Sequence, residues 1–382
     1  VLQKYANYVA QASDFPLTAF RGSHRDAVQA VGYGKALMFF HMLRLRLGDE
    51  VFVNGLRRFY RMNRFRQAGF GDLQRAFEEV SRLNLDHVFK QWIERVGAPR
   101  LRLTGTDVRS SAQGYRLVGT LEQVQQGNAY ELSVLLVIYL ADGGVVETHL
   151  PVRGRQTPLD ITLSARPRRV DVDPDFDIFR LLDHKEMPPS LGQLFGAQNV
   201  LIVVPKRAPE HLRVRYRELA ERWARDTRAI EWRWDDALER LPSDRSVWLF
   251  GWSSRFLPDI ANAFADQALV LTDNDVRIRD RLVNRQTEAV VLVGRHPDND
   301  AVALAWFACE SPSAFAALTR KLPHYGKYSY LAFRSDDVRN VLKGQWPVID
   351  SPLRVRLGGV AKVVPTPFQR REQRQPLTAT LN

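Results

Sequence analysis

The hydrophobic period of this chain changes twice, and those changes limit what it can fold into. Up to Pro99 the apolar residues recur at spacings of three and four, as on a helix with one buried face. From Arg100 to about Val172 they alternate with polar residues, as on half-buried strands. From Asn199 continuous apolar runs such as Val200-Leu201-Ile202-Val203-Val204 alternate with helix-period segments, the pattern of an open α/β sheet. The 382 residues are therefore expected to form a multidomain α+β protein. The expected parts are a helical part over 1–99, an antiparallel β-sandwich over 100–187, an α/β domain over 195–350 and a mobile basic tail over 351–382.

Within the first part the spacing predicts helices over Ala36–Leu47, about Glu50–Met62, from Asp72, and from about Asp86 to the stop at Gly97-Ala98-Pro99. About seven short strands come next, with Leu132–Leu140 and Val145–Leu150 joined by a turn at Asp142-Gly143-Gly144. The third part is expected to contain strands at Val200–Val204, Ser246–Phe250, Ala268–Leu271 and Ala289–Val293, with Tyr328–Phe333 a further strand. Helices are expected at about Glu210–Arg225, Leu257–Ala265 and Ala301–Cys309.

Composition narrows the classes. Apolar residues at 45% and charged residues at 26% are enough for packed cores and argue against disorder. The single cysteine, Cys309, makes no internal disulfide and no Cys-rich zinc site. The longest apolar run, Leu132–Leu140, falls short of the ~18 residues that span a bilayer. No leader-like apolar stretch succeeds Val1-Leu2-Gln3-Lys4, and the chain opens without Met, so it is expected to start inside a longer protein.

The net charge of +12 rests on 46 Arg and nine Lys. It is spread as +7 over 1–100, −2 over 101–190, +3 over 191–348 and +4 beyond. One dense cluster stands out: Arg57, Arg58, Arg61, Arg64 and Arg66, interleaved with Phe59, Tyr60 and Phe65. It suits a nucleic-acid surface, and equally the solvated face of an amphipathic helix, which the spacing favours.

Catalytic motifs are sparse. No pair of the eight histidines stands at i, i+4, and H-E-x-x-H is absent, so no complete zinc site is expected within the chain. Gly251-Trp252-Ser253-Ser254-Arg255 comes after a strand like a nucleophile elbow, but Arg255 replaces the last glycine, which favours an ordinary strand-to-helix turn. Gly294-Arg295-His296-Pro297-Asp298-Asn299-Asp300 reads as a helix-capping loop. Neither G-x-G-x-x-G nor a P-loop is present. The remaining candidate is Tyr33, which sits between Gly32 and Gly34 at the start of a strongly apolar helix. By spacing alone it reads as a buried aromatic with its hydroxyl tied down.

Several of these segments, in order, resemble the gluzincin aminopeptidases, the membrane alanyl aminopeptidase family of zinc peptidases. Tyr33-Gly34-Lys35-Ala36 resembles the family's Y-x-K-G/A signature, with Ala36 for the usual Gly. Leu47-Gly48-Asp49-Glu50-Val51-Phe52, Asp72-Leu73, Gln91-Trp92-Ile93 with Gly97-Ala98-Pro99, and Val172-Asp173-Pro174 resemble segments that family members carry downstream of that signature. The resemblance covers residues 1 to about 190. Leu322–Tyr330 and Lys343–Val348 resemble C-terminal extensions of some bacterial members.

The resemblance implies a fold: the helical end of a zincin catalytic domain, then the sandwich, then an accessory α/β domain. It implies a hydrolase that releases N-terminal residues from peptide substrates with one zinc ion, whose ligands lie upstream of this chain. The chain alone is then expected to be inactive. It also implies that the Tyr33 hydroxyl donates a hydrogen bond to the oxyanion of the tetrahedral intermediate, since phenols keep their proton at neutral pH. It favours the bacterial envelope or a membrane-associated location over the cytoplasm. Two other readings stay open: a non-catalytic scaffold or partner-binding module derived from the family, and nucleic-acid binding through Arg57–Arg66, which is not expected.

Overall fold

The structure is a computed structural model that describes residues 1–357 except 10–13, 23–24, 113, 227–229, 265–266, 268 and 349. Among the described residues the chain forms two compact units, residues 1–183 with residues 350–357, and residues 184–348.

The first unit begins with helices α1 (Leu2–Tyr8), α2 (Asp26–Gln29), α3 (Ala36–Leu47), α4 (Asp49–Asn63), α5 (Phe70–Ser81) and α6 (Asp86–Phe89). Two of them run into π-helical turns: Ala30–Lys35 joins α2 to α3, and Lys90–Glu94 continues α6. α3 stops at Gly48, whose φ of 79° no helix continues and whose N–H still reaches the Arg44 carbonyl at 2.8 Å. α4 starts at once, with Asp49 and Glu50 in the first turn where the helix dipole favours acids. The Asp72 carboxylate accepts the Gly69 N–H at 2.9 Å and so caps α5. Gly55 lets α4 lie flat on α5, since a Cβ there would stand 2.3 Å from the buried Phe77 ring.

Two antiparallel sheets complete this unit. β1 (Leu101–Ser111), β2 (Gly114–Gln123) and the later β5 (Gln156–Leu163) make three strands in the order β1-β2-β5. β3 (Leu132–Leu140) pairs with β4 (Val145–Val152) on one side and β6 (Pro167–Val172) on the other. β3 is buried on both faces from Val134 to Ile138, which explains its continuous apolar run.

The seventh strand is a correction. Residues Arg354–Arg356 fall in the stretch 351–382 expected to be a tail, yet they pair with β6 and add a fourth strand to the β3 sheet. The Arg354 guanidinium lies 3.3 Å from the buried Asp171 carboxylate, and Arg169 lies 3.1 Å from the same group. A buried carboxylate needs such partners, and no local pattern marks a partner 183 residues away. Residues 358–382 lie outside the described residues.

The second unit holds α7 (Leu191–Phe195), β7 (Val200–Val204), α8 (Glu210–Asp226), β8 (Ile230–Trp234), β9 (Ser246–Phe250), α9 (Leu257–Ala263) and β10 (Leu269–Leu271). Next come β11 (Asp275–Ile278), β12 (Arg281–Asn284), β13 (Glu288–His296), β14 (Asn299–Ala308), α10 (Phe315–Lys321), β15 (Tyr330–Arg334) and β16 (Asn340–Gly344). Seven strands form one mixed sheet in the order β16-β15-β13-β14-β9-β7-β8, parallel from β14 to β8. α8 buries Leu212, Tyr216, Leu219, Ala220 and Trp223, one helical face, against Ile202, Val204, Trp248 and Phe250 of the sheet. The opposite sheet face packs Val203, Leu249, Leu292 and Trp306 on Phe256, Ile260, Phe264 and residues of the small β10-β11-β12 sheet. Each large apolar side chain buried this way contributes roughly 1.5–3 kcal/mol before entropy is set against it.

Ala301–Cys309, expected as a helix, is strand β14 up to Ala308. Its alanines suggest a helix by propensity. In the sheet, alternate residues enter the cores on both faces, so Leu304 to Ala308 are all buried and no strand period shows. The expected capping loop before it is instead a hairpin turn, in which His296 pairs with Asn299.

Candidate functional site

Tyr33 lies in the π turn that feeds α3. Such turns insert one extra residue into a helix and are frequent at functional sites. The neighbouring glycines make room for side chains from elsewhere. A Cβ on Gly32 would stand 2.2 Å from the Phe20 ring, and one on Gly34 would touch the Val1 side chain at 3.3 Å. Phe20 therefore lies against the helix backbone, edge-on to Tyr33 with ring centroids 5.0 Å apart.

The Tyr33 ring itself is 60% exposed, and its hydroxyl has no hydrogen-bond partner among the described residues. This corrects the reading from spacing, a buried aromatic with its hydroxyl tied down. Leu37, one helical turn on, is 58% exposed on the same side, while Met38, Phe39 and Leu43 are buried. Residues 36–43 are apolar almost all round, so the spacing could not single out the buried face.

Lys35 turns the other way and is 1% exposed. Its Nζ donates to the Arg95 carbonyl at 2.6 Å, at the C-terminal end of the second π turn, where a cation also suits the helix dipole. Burial lowers the Lys35 ammonium to about 8, and Asp14 nearby opposes that shift. Asp14 is itself tied down: its carboxylate accepts the Tyr5 hydroxyl at 2.7 Å and the Gly97 N–H at 2.7 Å. Burial, helped by Asp14, pushes the Tyr5 phenol far above its ordinary range.

The remaining motif residues carry structure. Gln91 pairs its amide with both backbone groups of Glu131, at 2.9 and 2.8 Å. Trp92 stacks on Tyr130, and the Arg95 guanidinium lies 3.5 Å from the centroid of the same Tyr130 ring. The Lys90–Glu94 turn is thereby clamped to the two residues just before β3. Asp173, after β6, accepts from the Arg180 Nε at 2.7 Å, and each side chain is 1% exposed. Burial pushes the Asp173 carboxyl up to about 6 against the pull of Arg180. The Asp177 N–H donates to the other Asp173 oxygen, and the Asp177 carboxylate meets His41 Nε2 at 2.8 Å, which joins α3 to this loop.

A cleft of about 400 Å³ opens beside Phe20, lined by Leu17, Arg21, Phe70, Phe89 and Glu94 among others. Phe20, which lines this cleft, meets Tyr33 edge-on, while Tyr33 itself is not among the lining residues. No group of three His, Cys, Asp or Glu among the described residues could hold a metal, and His41, His87 and His184 each face an acidic partner. The described residues therefore do not fit a zinc site. His24 lies outside them.

The motif-like segments of the second unit are structural. Ser254 is buried and its Oγ accepts the Phe256 N–H, while Trp306 donates to the Gly251 carbonyl. The buried Asp235 carboxylate accepts the N–H groups of Lys206 and Arg255, which closes the carboxyl ends of β7, β8 and β9 on one another. Spacing could not reveal Asp235, because its partners come from separate loops.

No family model matches the chain. It is 32% identical over 82 residues to aminopeptidase N of Lactococcus lactis subsp. lactis, a stretch amounting to 20% of this chain and 10% of that protein. The chain thus spans a small part of the length of this curated relative. Among solved structures, aminopeptidase A of Legionella pneumophila in complex with aspartic acid aligns with a TM-score of 0.36 at 19% identity, over 44% of this chain and 20% of the other. At that score the likeness carries no argument.

Proposed function

We propose that this chain is the C-terminal portion of a metallo-aminopeptidase and that Tyr33 stabilises the transition state of peptide-bond hydrolysis. The observation that carries the reading is the 32% identity to aminopeptidase N over 82 residues. The exposed Tyr33 supports it, because its O–H, without a partner among the described residues, can donate to the oxygen that becomes negative as the scissile carbonyl turns tetrahedral. Lys35 and the Lys90–Glu94 turn fix the backbone that carries this ring, so the donor is positioned before substrate arrives.

In this reading the helices of residues 1–99 close a zincin catalytic domain, the two antiparallel sheets form a sandwich behind it, and residues 184–348 are an accessory domain. The zinc ion is held by polypeptide outside residues 1–382, and the outward face of Tyr33 and Leu37 lies against that polypeptide. The substrates are peptides with a free N-terminus.

The test is turnover of aminoacyl-arylamides by the full-length parent, with Tyr33→Phe beside it. Release of the arylamine by the parent, and a kcat lowered ~10²–10³-fold in the variant, support the reading. A parent without such activity, or a variant with undiminished kcat, overturns it and favours a scaffold.

A further inference from the structure

The turn between α4 and α5 presents a surface that the peptidase reading does not use. Residues 64–69 are all exposed, so the turn stands out from the unit. Phe65 at its tip is 93% exposed, and Tyr60 on the last turns of α4 is 64% exposed. Phe65 also adopts a φ of 61°, a left-handed conformation that a bulky side chain rarely takes, and its ring lies under the Arg64 guanidinium at 4.9 Å. A strained backbone that holds an apolar ring in water gains nothing for the fold, and such outliers collect at functional surfaces.

Charge points the same way. No acidic residue occurs between Glu50 and Asp72. The nearest acids on α5 are occupied, Glu79 by Arg58 and Asp72 by Arg75. Arg57, Arg61, Arg64 and Arg66 have no acidic partner among the described residues. Four guanidinium groups without an acidic partner among the described residues thus lie within nine residues of sequence of two exposed aromatic rings, one of them, Arg64, over the Phe65 ring.

We propose that this tip docks on an anionic lipid surface, with Phe65 entering the headgroup region and Arg57, Arg61, Arg64 and Arg66 contacting lipid phosphates. A protruding aromatic on a turn rich in unpaired cations fits a plane, where apolar insertion and charge attraction add. A nucleic-acid strand needs a basic groove along which its backbone can run. The cleft beside this turn, walled by Gly69, Phe70 and Gly71, sets one Glu94 against one Arg21 and lacks such a lining.

The test is co-sedimentation of the full-length parent with vesicles of phosphatidylcholine, with and without one-third phosphatidylglycerol. Binding is expected to the anionic vesicles only and to weaken as salt screens the charges. Arg61→Gln with Arg64→Gln is expected to lower partitioning roughly 25-fold, about fivefold per charge. Phe65→Gly removes the ring while suiting the left-handed backbone, so it keeps the fold intact, and it is expected to cost roughly tenfold. No binding to anionic vesicles at low salt, or binding that survives both variants unchanged, overturns the proposal. Tighter binding to a single-stranded oligonucleotide than to the vesicles, lost in the same arginine variant, also overturns it and assigns the surface to nucleic acid.

Discussion

The Nζ of Lys35 lies 2.6 Å from the Arg95 carbonyl oxygen, and this contact joins two π-helical turns sixty residues apart. Lys35→Met keeps the stem but leaves that carbonyl without its donor, so it is expected to cost about 1–3 kcal/mol in urea unfolding near neutral pH. A pH series separates the charge from the hydrogen bond. The folded pKa of about 8 lies below the 10.5 of a free lysine, so the unfolded chain binds more protons between those values. Stability is therefore expected to rise with pH across that window, by up to about 1 kcal/mol per unit, and the rise should vanish in Lys35→Met. A wild-type curve parallel to the variant's would contradict this account.

Asp173→Asn tests the buried ion pair. Asparagine tolerates the φ of 48° found at this position, so any loss reports the missing charge beside Arg180. Removing this carboxylate from the buried Arg180 is expected to destabilise the fold by at least about 1–3 kcal/mol, the cost of a lost buried hydrogen-bond partner. A denaturant midpoint close to wild type would show that the pair contributes little.

Gly55→Ala sets helix propensity against packing. Alanine favours α4 by ~1 kcal/mol, but its methyl carbon would stand 2.3 Å from a ring that is fully buried and cannot withdraw. Packing should win, with a net loss within the ~1–3 kcal/mol typical of overpacked cores. A raised melting temperature would show that α4 and α5 separate easily.

Tyr33→Phe should leave stability unchanged within ~0.5 kcal/mol, because the hydroxyl it removes is exposed and unpartnered among the described residues. Thermal unfolding of this chain alone measures that directly. A clear drop in melting temperature would give Tyr33 a structural task instead.

Cys309 is fully buried, and burial raises its thiol to about 12. It is expected to resist alkylation in the native protein at pH 8 and to react fully in guanidinium, as mass spectrometry would record. Rapid native labelling would mean that the end of β14 opens.

The sequence was most legible where one face of an element meets solvent. α4, α5 and α8 carry a helical stripe, and β1 and β2 alternate, so their positions are set by periodicity. It was least legible where both faces are covered. β14 has no period because Trp306 and Phe307 point into different cores. β8, Ile230–Trp234, does alternate, but at five residues its alternation is too short to stand out from chance. β11 and β12 are shorter still. At the candidate site only the resemblance singled out Tyr33; spacing alone read it as buried, because its exposure depends on the π turn and on Phe20 seated against Gly32, neither of which leaves a periodic trace. The partners of Lys35, Asp171 and Asp173 were likewise beyond reach, since they are set by contacts distant in the chain.

The pairing of Arg354–Arg356 with β6 makes residues 184–348 an excursion from a sheet that the chain begins before them and finishes after them. A ribosome delivers β6 long before its neighbour, so the nascent protein must wait with one rim of that sheet bare. An early stop within the excursion would leave the rim without this partner, ready to recruit strands from other molecules. Closing so wide a circuit costs only slightly more entropy than closing a small one, since the penalty grows with the logarithm of its span. The timing of synthesis thus decides how long β6 stays the bare rim of this sheet before the short strand Arg354–Arg356 takes that place.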